Sequence, residues 1–332
     1  MELLDKKRLG EVEPAVAFED AELRKFRKES VVANYIGDEH SAVDYFQVTN
    51  NFVKRGENLG AQTGRVCKAM AGTEMLEMRR EGKGWIVETN RGRVRARFVV
   101  VSSCGYSLLT AHRLGYGHHL SCLPVAGSFY FGPKVLRGKV YCVQNPLLPF
   151  AAVHGDPDLV AGGKTRFGPT ALPLPLLERY QWHTFPDFLK TLRVSPGLLQ
   201  VYWGMFKNST MRNYLFKNLL FEIPHLNTRL FLKSINKIVP SLTVDQLSYA
   251  QGFGGVRPQV IDKNQKKLLL GEGKIDPEDA PIIFNITPSP GGTTCLGTAE
   301  TDVKKITKWL GCNYNQTKFK HLLLDGLYPE EK

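Results

Sequence analysis

At Phe98–Val101 four consecutive apolar residues, three of them Val, run straight into Ser102, Ser103, Cys104 and Gly105. A strand that is apolar on both faces is covered on both faces, the usual environment of a central parallel strand. The small-residue turn then feeds SLLTAHRLG, which has helical spacing. Parallel strands need crossover connections, most often helical, so this segment places the chain in the α/β class, with a large β component elsewhere making it α+β in part. The same order returns near the other end. There PIIFNIT reads as an apolar strand, TPSPGG as a rigid loop, and TTCLGTAETDVKKITKWLG as a helix.

Between these landmarks the pattern alternates. Residues 1–30 are charge-dense and read as exposed turns and a connector, followed by a helix from about Tyr45. RVCKAMAGTEMLEMRR, the turn EGKG and WIVETN read as a hairpin, with RGRVRARFVVV returning as a third strand. From Leu120 to Leu172 about four strands are expected: CLPVAGSFYFGP, GKVYCVQN, PFAAVHGD and KTRFGPTA. Residues 176–240 change to Leu, Phe, Tyr and Trp at helical spacing, punctuated by Pro186, Pro196, Pro224 and Pro240, and predict a helical lobe of three or four helices. LSYAQGFGGVRPQVID, KKLLLGEGK and PIIFNIT return to strands.

Composition narrows the function classes. The 332 residues are 42% hydrophobic and 23% charged, an ordinary globular balance that excludes disorder and coiled coils. No run approaches the roughly 18 uninterrupted apolar residues of a spanning helix, and the opening residues have no apolar core of signal-peptide type, so secretion is not expected. Six scattered cysteines without C-x-x-C pairs read as reduced thiols, and N-x-[ST] triplets at Asn208, Asn285 and Asn315 as chance matches. The net charge of +12 calls for an anionic partner without choosing one. Half of that excess lies between Pro186 and Lys237, where eight Lys and Arg face only Asp187 and Glu222 and alternate with Trp203, Phe206, Tyr214, Phe216 and Phe221. Such a basic, aromatic stretch fits an anionic membrane surface or an ordinary helical lobe. No recognised nucleic-acid module is present, so nucleic acid is not expected as a partner.

Several tempting motifs fail. GGKT at Gly162–Thr165 lacks the first glycine of a P-loop, where Asp158 stands, and leads into FGPTALPLP rather than a helix. GFGG at Gly252–Gly255 lacks the third glycine of a dinucleotide fingerprint and reads as a turn or bulge. His118 and His119 are adjacent and cannot face one metal from regular structure, so no metal site is expected.

Four segments carry chemistry together: RARFVVVSSCGYS, VHGD with TRFGPTA, GVRPQ, and TPSPGGTTC. With EPAV at Glu13–Val16 and AVDYFQVTNNFV at Ala42–Val53, they make the chain resemble the flavin-dependent oxidoreductases of the D-amino-acid-oxidase type. Within that family the resemblance is strongest to the malate:quinone oxidoreductase branch, with L-2-hydroxyglutarate dehydrogenases next. It runs from about Glu13 to Gly311. It implies a truncated Rossmann-like flavin domain (residues 1–118), a β-sheet substrate domain with the helical lobe (119–284), a return to the flavin domain (285–312) and a tail (313–332). The implied reaction is FAD-dependent oxidation of a 2-hydroxy di-acid, (S)-malate to oxaloacetate, with a quinone as acceptor. L-2-hydroxyglutarate oxidation, or a non-catalytic chain that cannot hold FAD, are the alternatives. The implied location is the cytoplasmic face of a membrane, peripherally bound (the mitochondrial inner membrane in a eukaryote).

The resemblance also names residues. His154 is the candidate base, since oxidising a hydroxy acid removes a hydroxyl proton as hydride leaves the same carbon. Arg257 and Arg166 are candidate carboxylate clamps, because a guanidinium makes bidentate bonds to a carboxylate. Gly105 and Tyr106 would border the FAD pyrophosphate or ribose. Pro290, Gly291, Gly292, Thr293 and Thr294 would line the flavin ring at a helix start, where free N–H groups and the positive dipole end gather. Val66 would meet the adenine. One departure is large: the strand, G-x-G-x-x-G and helix that open the family are not found, and a unit of that kind spans at least ~30 residues. Its loss would expose a sheet edge and weaken flavin binding.

Overall fold

The computed structural model describes residues 2–30, 33–37, 42–143, 152–223, 226–269, 271–287 and 291–325. The α/β class expected from the sequence is observed, as strands and helices grouped into two compact units. One holds Met1–Cys67, Pro124–Trp182 and Tyr202–Val256, and the other Lys68–Leu123, His183–Val201 and Arg257–Lys332. This differs from the consecutive blocks expected. Residues 1–67 belong with 124–182, whereas residues 257–284 belong with 68–123. The reason is the chain path: the strands Leu120–Gly127 and Gly255–Asp262 each begin in one unit and end in the other.

In the second unit a three-stranded sheet runs in the order Gly273–Ile275, Ile282–Thr287, Val99–Val101. The last two are parallel, with Ile282 opposite Val99, Ile283 opposite Val100 and Phe284 opposite Val101. The expectation of a central strand at Phe98–Val101 is corrected here. Val99–Val101 is the outer strand of this sheet and Val100 is 39% exposed. The strand covered on both faces is Ile282–Thr287, whose Ile282, Ile283, Phe284 and Ile286 are fully buried. Ile282 and Phe284 pack with Met78, Trp85, Val101 and Ala111, and Ile286 packs with the helix residue Leu108 in a second apolar cluster. Burying side chains of this size stabilises the fold by roughly 1.5–3 kcal/mol each. Trp85 keeps its indole satisfied by donating to the Pro281 carbonyl at 3.1 Å.

RGRVRARFVVV is likewise two strands rather than one. Gly92–Ala96 closes an antiparallel hairpin sheet with Met75–Glu81 and Gly84–Thr89, and Val99–Val101 then joins the parallel pair. The hairpin begins only at Met75, so the strand expected at RVCKAM is absent from the described structure, and residues 65–70 have no regular hydrogen-bonded form.

In the first unit five antiparallel strands run in the order Ser248–Tyr249, Tyr130–Gly132, Thr165–Gly168, His154–Pro157, Val140–Tyr141. Successive side chains alternate between faces. On one face Tyr130 and Phe167 are fully buried with Phe221, Phe231, Ile235 and Leu247. Tyr130 stacks on Phe231 at 4.6 Å and donates its hydroxyl to the Phe221 carbonyl at 3.2 Å. Gly155 shares this face, where an added Cβ would stand 2.6 Å from Leu136 Cδ1, so only glycine fits.

The helical lobe is four helices: Phe185–Leu192, Pro196–Lys207, Ser209–Leu220 and Asn227–Ile235. Pro186 and Pro196 sit in first turns, where a missing N–H costs nothing. Pro224 lies outside the described residues. The helix expected near Tyr45 runs Tyr45–Gln62, started by Asp44, whose carboxylate accepts from the Phe46 and Gln47 amides.

Candidate active site

Because Gly155 faces the core, its neighbours His154 and Asp156 point to the opposite face of the sheet. Register puts Tyr141 and Gly168 beside His154, and Arg166 beside Asp156. The structure therefore brings His154 and Arg166 together, as the sequence suggested. His154 is 8% exposed, with the Tyr141 ring at 4.7 Å and the edge of Phe129 at 6.4 Å. Gly168 permits this: an added Cβ there would come within 2.6 Å of Phe129 Cδ1.

The His154 Nδ1 lies 3.1 Å from the Ala152 carbonyl, which can only accept. Nδ1 therefore carries the hydrogen, and in the neutral ring Nε2 keeps its lone pair. Burial lowers the His154 pKa to about 4, with Lys139 and Arg166 acting in the same direction and the Ala152 carbonyl and Asp156 opposing them. The ring is neutral at physiological pH and able to accept a proton.

Arg166 does not present a free fork. Its Nη2 meets Asp156 Oδ2 and its Nη1 meets Asp158 Oδ2, both at 3.0 Å, and the guanidinium lies 4.8 Å above the Phe129 ring. The clamp expected of Arg166 is thus already closed on two carboxylates of its own chain. Asp158 is in turn held by the Val160 and Ala161 amides. Two buried atoms in this cluster, Arg166 Nε and Asp156 Oδ1, have no hydrogen-bond partner, a donor and an acceptor left over beside the base.

The second unit holds a different kind of site. Val99–Val101 and Ile282–Thr287 are parallel, and each is followed three residues later by a helix, Gly105–Arg113 and Gly291–Leu310. Both helix starts thus lie at the same end of the strands, and neither has an acidic residue in its first turn. Gly105 is buried and Tyr106 half-buried. Cys104 takes a positive φ of 52° to make the turn, and Ser107 locks it by receiving the Ser103 amide at 2.8 Å and donating to the Val101 carbonyl. Ser102 is tied to the neighbouring strand by Asn285, which also donates to Asp302 Oδ2 at 2.8 Å, while Lys274 pairs with the other Asp302 oxygen at 2.6 Å. Gly291 and Thr294 are half-buried, and Gly292 and Thr293 exposed. Two helix starts at the same strand ends, neither with an acidic residue in its first turn, fit the anionic and electron-rich parts of a flavin nucleotide through their positive dipole ends.

The remaining candidates are scattered. Arg257 is exposed near the start of Gly255–Asp262, whose next five residues are buried. Val66 is 93% exposed and off any strand, so no adenine cradle surrounds it among the described residues. Pro290 lies outside the described residues. His118 and His119 are exposed, and among the described residues no group of three His, Cys, Asp or Glu is placed to hold a metal. Sequence reasoning missed Phe129, Tyr141, Lys139, Asp156 and Asp158. The acids of VHGDPD were visible beside the base, but only the strand register shows that they neutralise Arg166.

The chain is 43% identical over 329 residues to a probable malate:quinone oxidoreductase of Campylobacter jejuni, covering 98% of this chain and 72% of that protein. It is 40% identical to the malate:quinone oxidoreductase of Helicobacter pylori, again covering 72% of that protein. The chain belongs to the malate:quinone oxidoreductase family. The L-2-hydroxyglutarate dehydrogenase of Nematostella vectensis is more distant, at 24% identity over 67% of this chain. Among solved structures, a Bacillus cereus glycine oxidase matches with a TM-score of 0.54 and 14% identity, covering 98% of this chain and 67% of that one. A glycerol-3-phosphate dehydrogenase from Bacillus halodurans, complexed with FAD, matches with a TM-score of 0.55 and 16% identity, covering 96% of this chain and 51% of that one. These matches show that the chain shares the fold of those enzymes. No protein-family model matches the chain.

Proposed function

We propose that the chain carries out the reaction named for its relatives, oxidation of (S)-malate to oxaloacetate with a quinone as electron acceptor. FAD, when bound, supplies the acceptor for the hydride that leaves C2. The single observation that carries the catalytic reading is the His154 tautomer. A carbonyl holds Nδ1–H, so Nε2 stands ready to take the hydroxyl proton. A pKa of about 4 makes this a weak base in the free protein. A bound dicarboxylate changes that: its negative charge beside Lys139 and Arg166 offsets the cations that depress the imidazole, so substrate raises the basicity of the group that attacks it.

Arg257, exposed and rigidly flanked by Gly254, Gly255 and Pro258, is the proposed clamp for a substrate carboxylate. Arg166 contributes charge and anchors Asp156 and Asp158 rather than gripping substrate. Gly105, Tyr106 and Gly291–Thr294, at the helix starts beyond the parallel strand ends, are the proposed FAD contacts, with Pro290 as a further candidate at the ring. Malate is favoured over L-2-hydroxyglutarate because identity is 43% to the malate branch and 24% to the other. A lipid-soluble acceptor calls for a bilayer surface, and the cytoplasmic face is the side proposed. No helix among the described residues is long and apolar enough to cross a membrane.

The test is substrate-dependent reduction of a dye and of a short-chain quinone by flavin-loaded protein, with (S)-malate and L-2-hydroxyglutarate compared. Turnover of malate alone supports the reading, whereas faster turnover of the longer acid overturns it.

A further inference from the structure

We propose that the two-helix segment Tyr202–Ile223 is the surface through which the protein docks on an anionic bilayer, its aromatic side chains entering the headgroup layer. The proposal rests on the reading of a membrane-dissolved quinone as acceptor, and commits that reading to one face of the lobe. In the helix Ser209–Leu220, Met211 and Asn218 point inward, and Asn218 accepts the Ala171 amide at 2.7 Å. Arg212, Phe216 and Leu219 follow at spacings of four and three and form the outward stripe, with Ile223 continuing it. The end of the preceding helix adds Trp203 and Phe206, stacked at 6.1 Å.

These are not core residues that happen to be named aromatic. Trp203, Phe206 and Phe216 are 58%, 59% and 62% exposed. Cations lie over the rings of this segment: Lys207 Nζ 5.5 Å from Trp203, Arg212 5.9 Å from Phe206 and Lys217 Nζ 5.6 Å from Phe221. Arg212 also donates to the Phe206 carbonyl at 3.1 Å, tying the two helices together. The segment's single acid, Glu222, is turned inward, paired with Arg179 and accepting from Ser128. The exposed charges of the segment are therefore cations only, set among exposed aromatic and aliphatic side chains.

A soluble surface mixes both signs of charge. A second copy on this face would set like charges opposite one another in an isologous contact. An anionic lipid surface answers both features, because headgroup phosphates meet the cations while indole and phenyl rings favour the interfacial layer.

The experiment is co-sedimentation of the purified 332-residue chain with vesicles of phosphatidylcholine alone and of phosphatidylcholine with phosphatidylglycerol. It needs neither flavin nor malate. Binding at least tenfold tighter to the anionic vesicles is expected. Trp203→Ser with Phe206→Ser and Phe216→Ser should weaken that binding at least tenfold with an unchanged circular dichroism spectrum. Lys207→Gln with Arg212→Gln and Lys217→Gln should abolish the preference for anionic lipid. If either triple variant binds as the parent does, the docking face is wrong while the membrane reading stands. If the parent binds no vesicle, both fall, and malate oxidation is judged separately in the dye assay. If the parent instead forms a dimer that the serine variant loses, the occupant is a second copy and the proposal is overturned.

Discussion

The His154 sheet and the Val99–Val101 edge solve different problems with different parts of the chain. At the first, side chains do the chemistry: register sets His154, Asp156, Arg166 and Tyr141 on one face, and each is held by a neighbour within the same unit. At the second, the chemistry belongs to backbone: helix starts, a tight turn at Cys104, and an outer strand with Val100 exposed. A side-chain site is complete when its few strands pair. A cradle made of sheet ends depends on how many strands the sheet has. The two sites should therefore respond to different perturbations, and that independence can be tested.

The largest effect belongs to the first site. In a flavin-competent, full-length form, His154→Gln should lower kcat by about two to four orders of magnitude, the usual worth of a positioned base. Flavin content should stay unchanged, because the base lies in the other compact unit. Loss of flavin along with turnover would show that the two sites are not independent. The second site should fail in the reverse way. The 332-residue chain contains no G-x-G-x-x-G, and pyrophosphate contacts at that motif are a main source of dinucleotide affinity. It should hold FAD more weakly than a chain that carries the fingerprint, so malate turnover is assayed with added flavin. A family-derived N-terminal extension carrying the fingerprint should raise FAD affinity and the malate-dependent dye reduction seen at limiting flavin together. Equal FAD affinity with and without the extension would show that the helix starts at Gly105 and Gly291 suffice.

A smaller effect is expected at Arg257. Truncation to Ala removes a charge-assisted clamp worth about 1.5–3 kcal/mol, so KM for malate should rise at least tenfold with kcat less affected. Arg257→Lys should rescue only in part, because an ammonium cannot reproduce the planar fork. Arg166→Lys offers the contrast. It should cost stability rather than KM, since it loosens a guanidinium already shared by Asp156 and Asp158. A KM effect at Arg166 equal to that at Arg257 would restore it as a second clamp.

What the sequence disclosed follows from range. The strand–turn–helix at Val99–Arg113, the helix capped by Asp44 and the prolines opening two lobe helices are local events, written in a few consecutive residues. His154 was named as a candidate base because the resemblance outweighed the plainer reading of a structural imidazole, and its burial on the sheet face came only with the structure. What stayed hidden depends on partners far along the chain. Four apolar residues at Phe98–Val101 fit a central strand, yet sheet order puts Ile282–Thr287 in the middle. Arg166 looked like a free cation because its two acids, eight and ten residues earlier, are brought to it only by the antiparallel register. The interleaving of the units was not readable at all, since each crossing occurs in or beside ordinary-looking segments such as Leu120–Gly127.

The smallest expected effect compares the two units through one buried imidazole in each. His112, in the second unit, donates from Nε2 to the Gly117 carbonyl at 3.1 Å, so Nε2 carries the hydrogen. Its Nδ1 is buried without a partner, and burial lowers its pKa to about 4, with Arg193, His118 and Lys263 adding to the shift. His154 is depressed to about 4 in the first unit. Both groups titrate near 6.5 in the unfolded chain, so between about pH 6.5 and 4 the unfolded state binds more protons than the native one. Their contribution to stability is therefore complete above 6.5, falls as the solution is acidified, and is gone below 4. Each should contribute at most about 1 kcal/mol per pH unit in that window. Glu13, whose carboxyl is raised mainly by burial, works in the opposite sense and offsets part of that loss. Thermal unfolding followed across that range should show Tm falling with pH, and His112→Gln and His154→Gln should each flatten part of the slope. If the two units unfold together, both substitutions act on one transition and their effects add. If they unfold separately, each flattens only its own transition, and the independence seen in their sites extends to their stability.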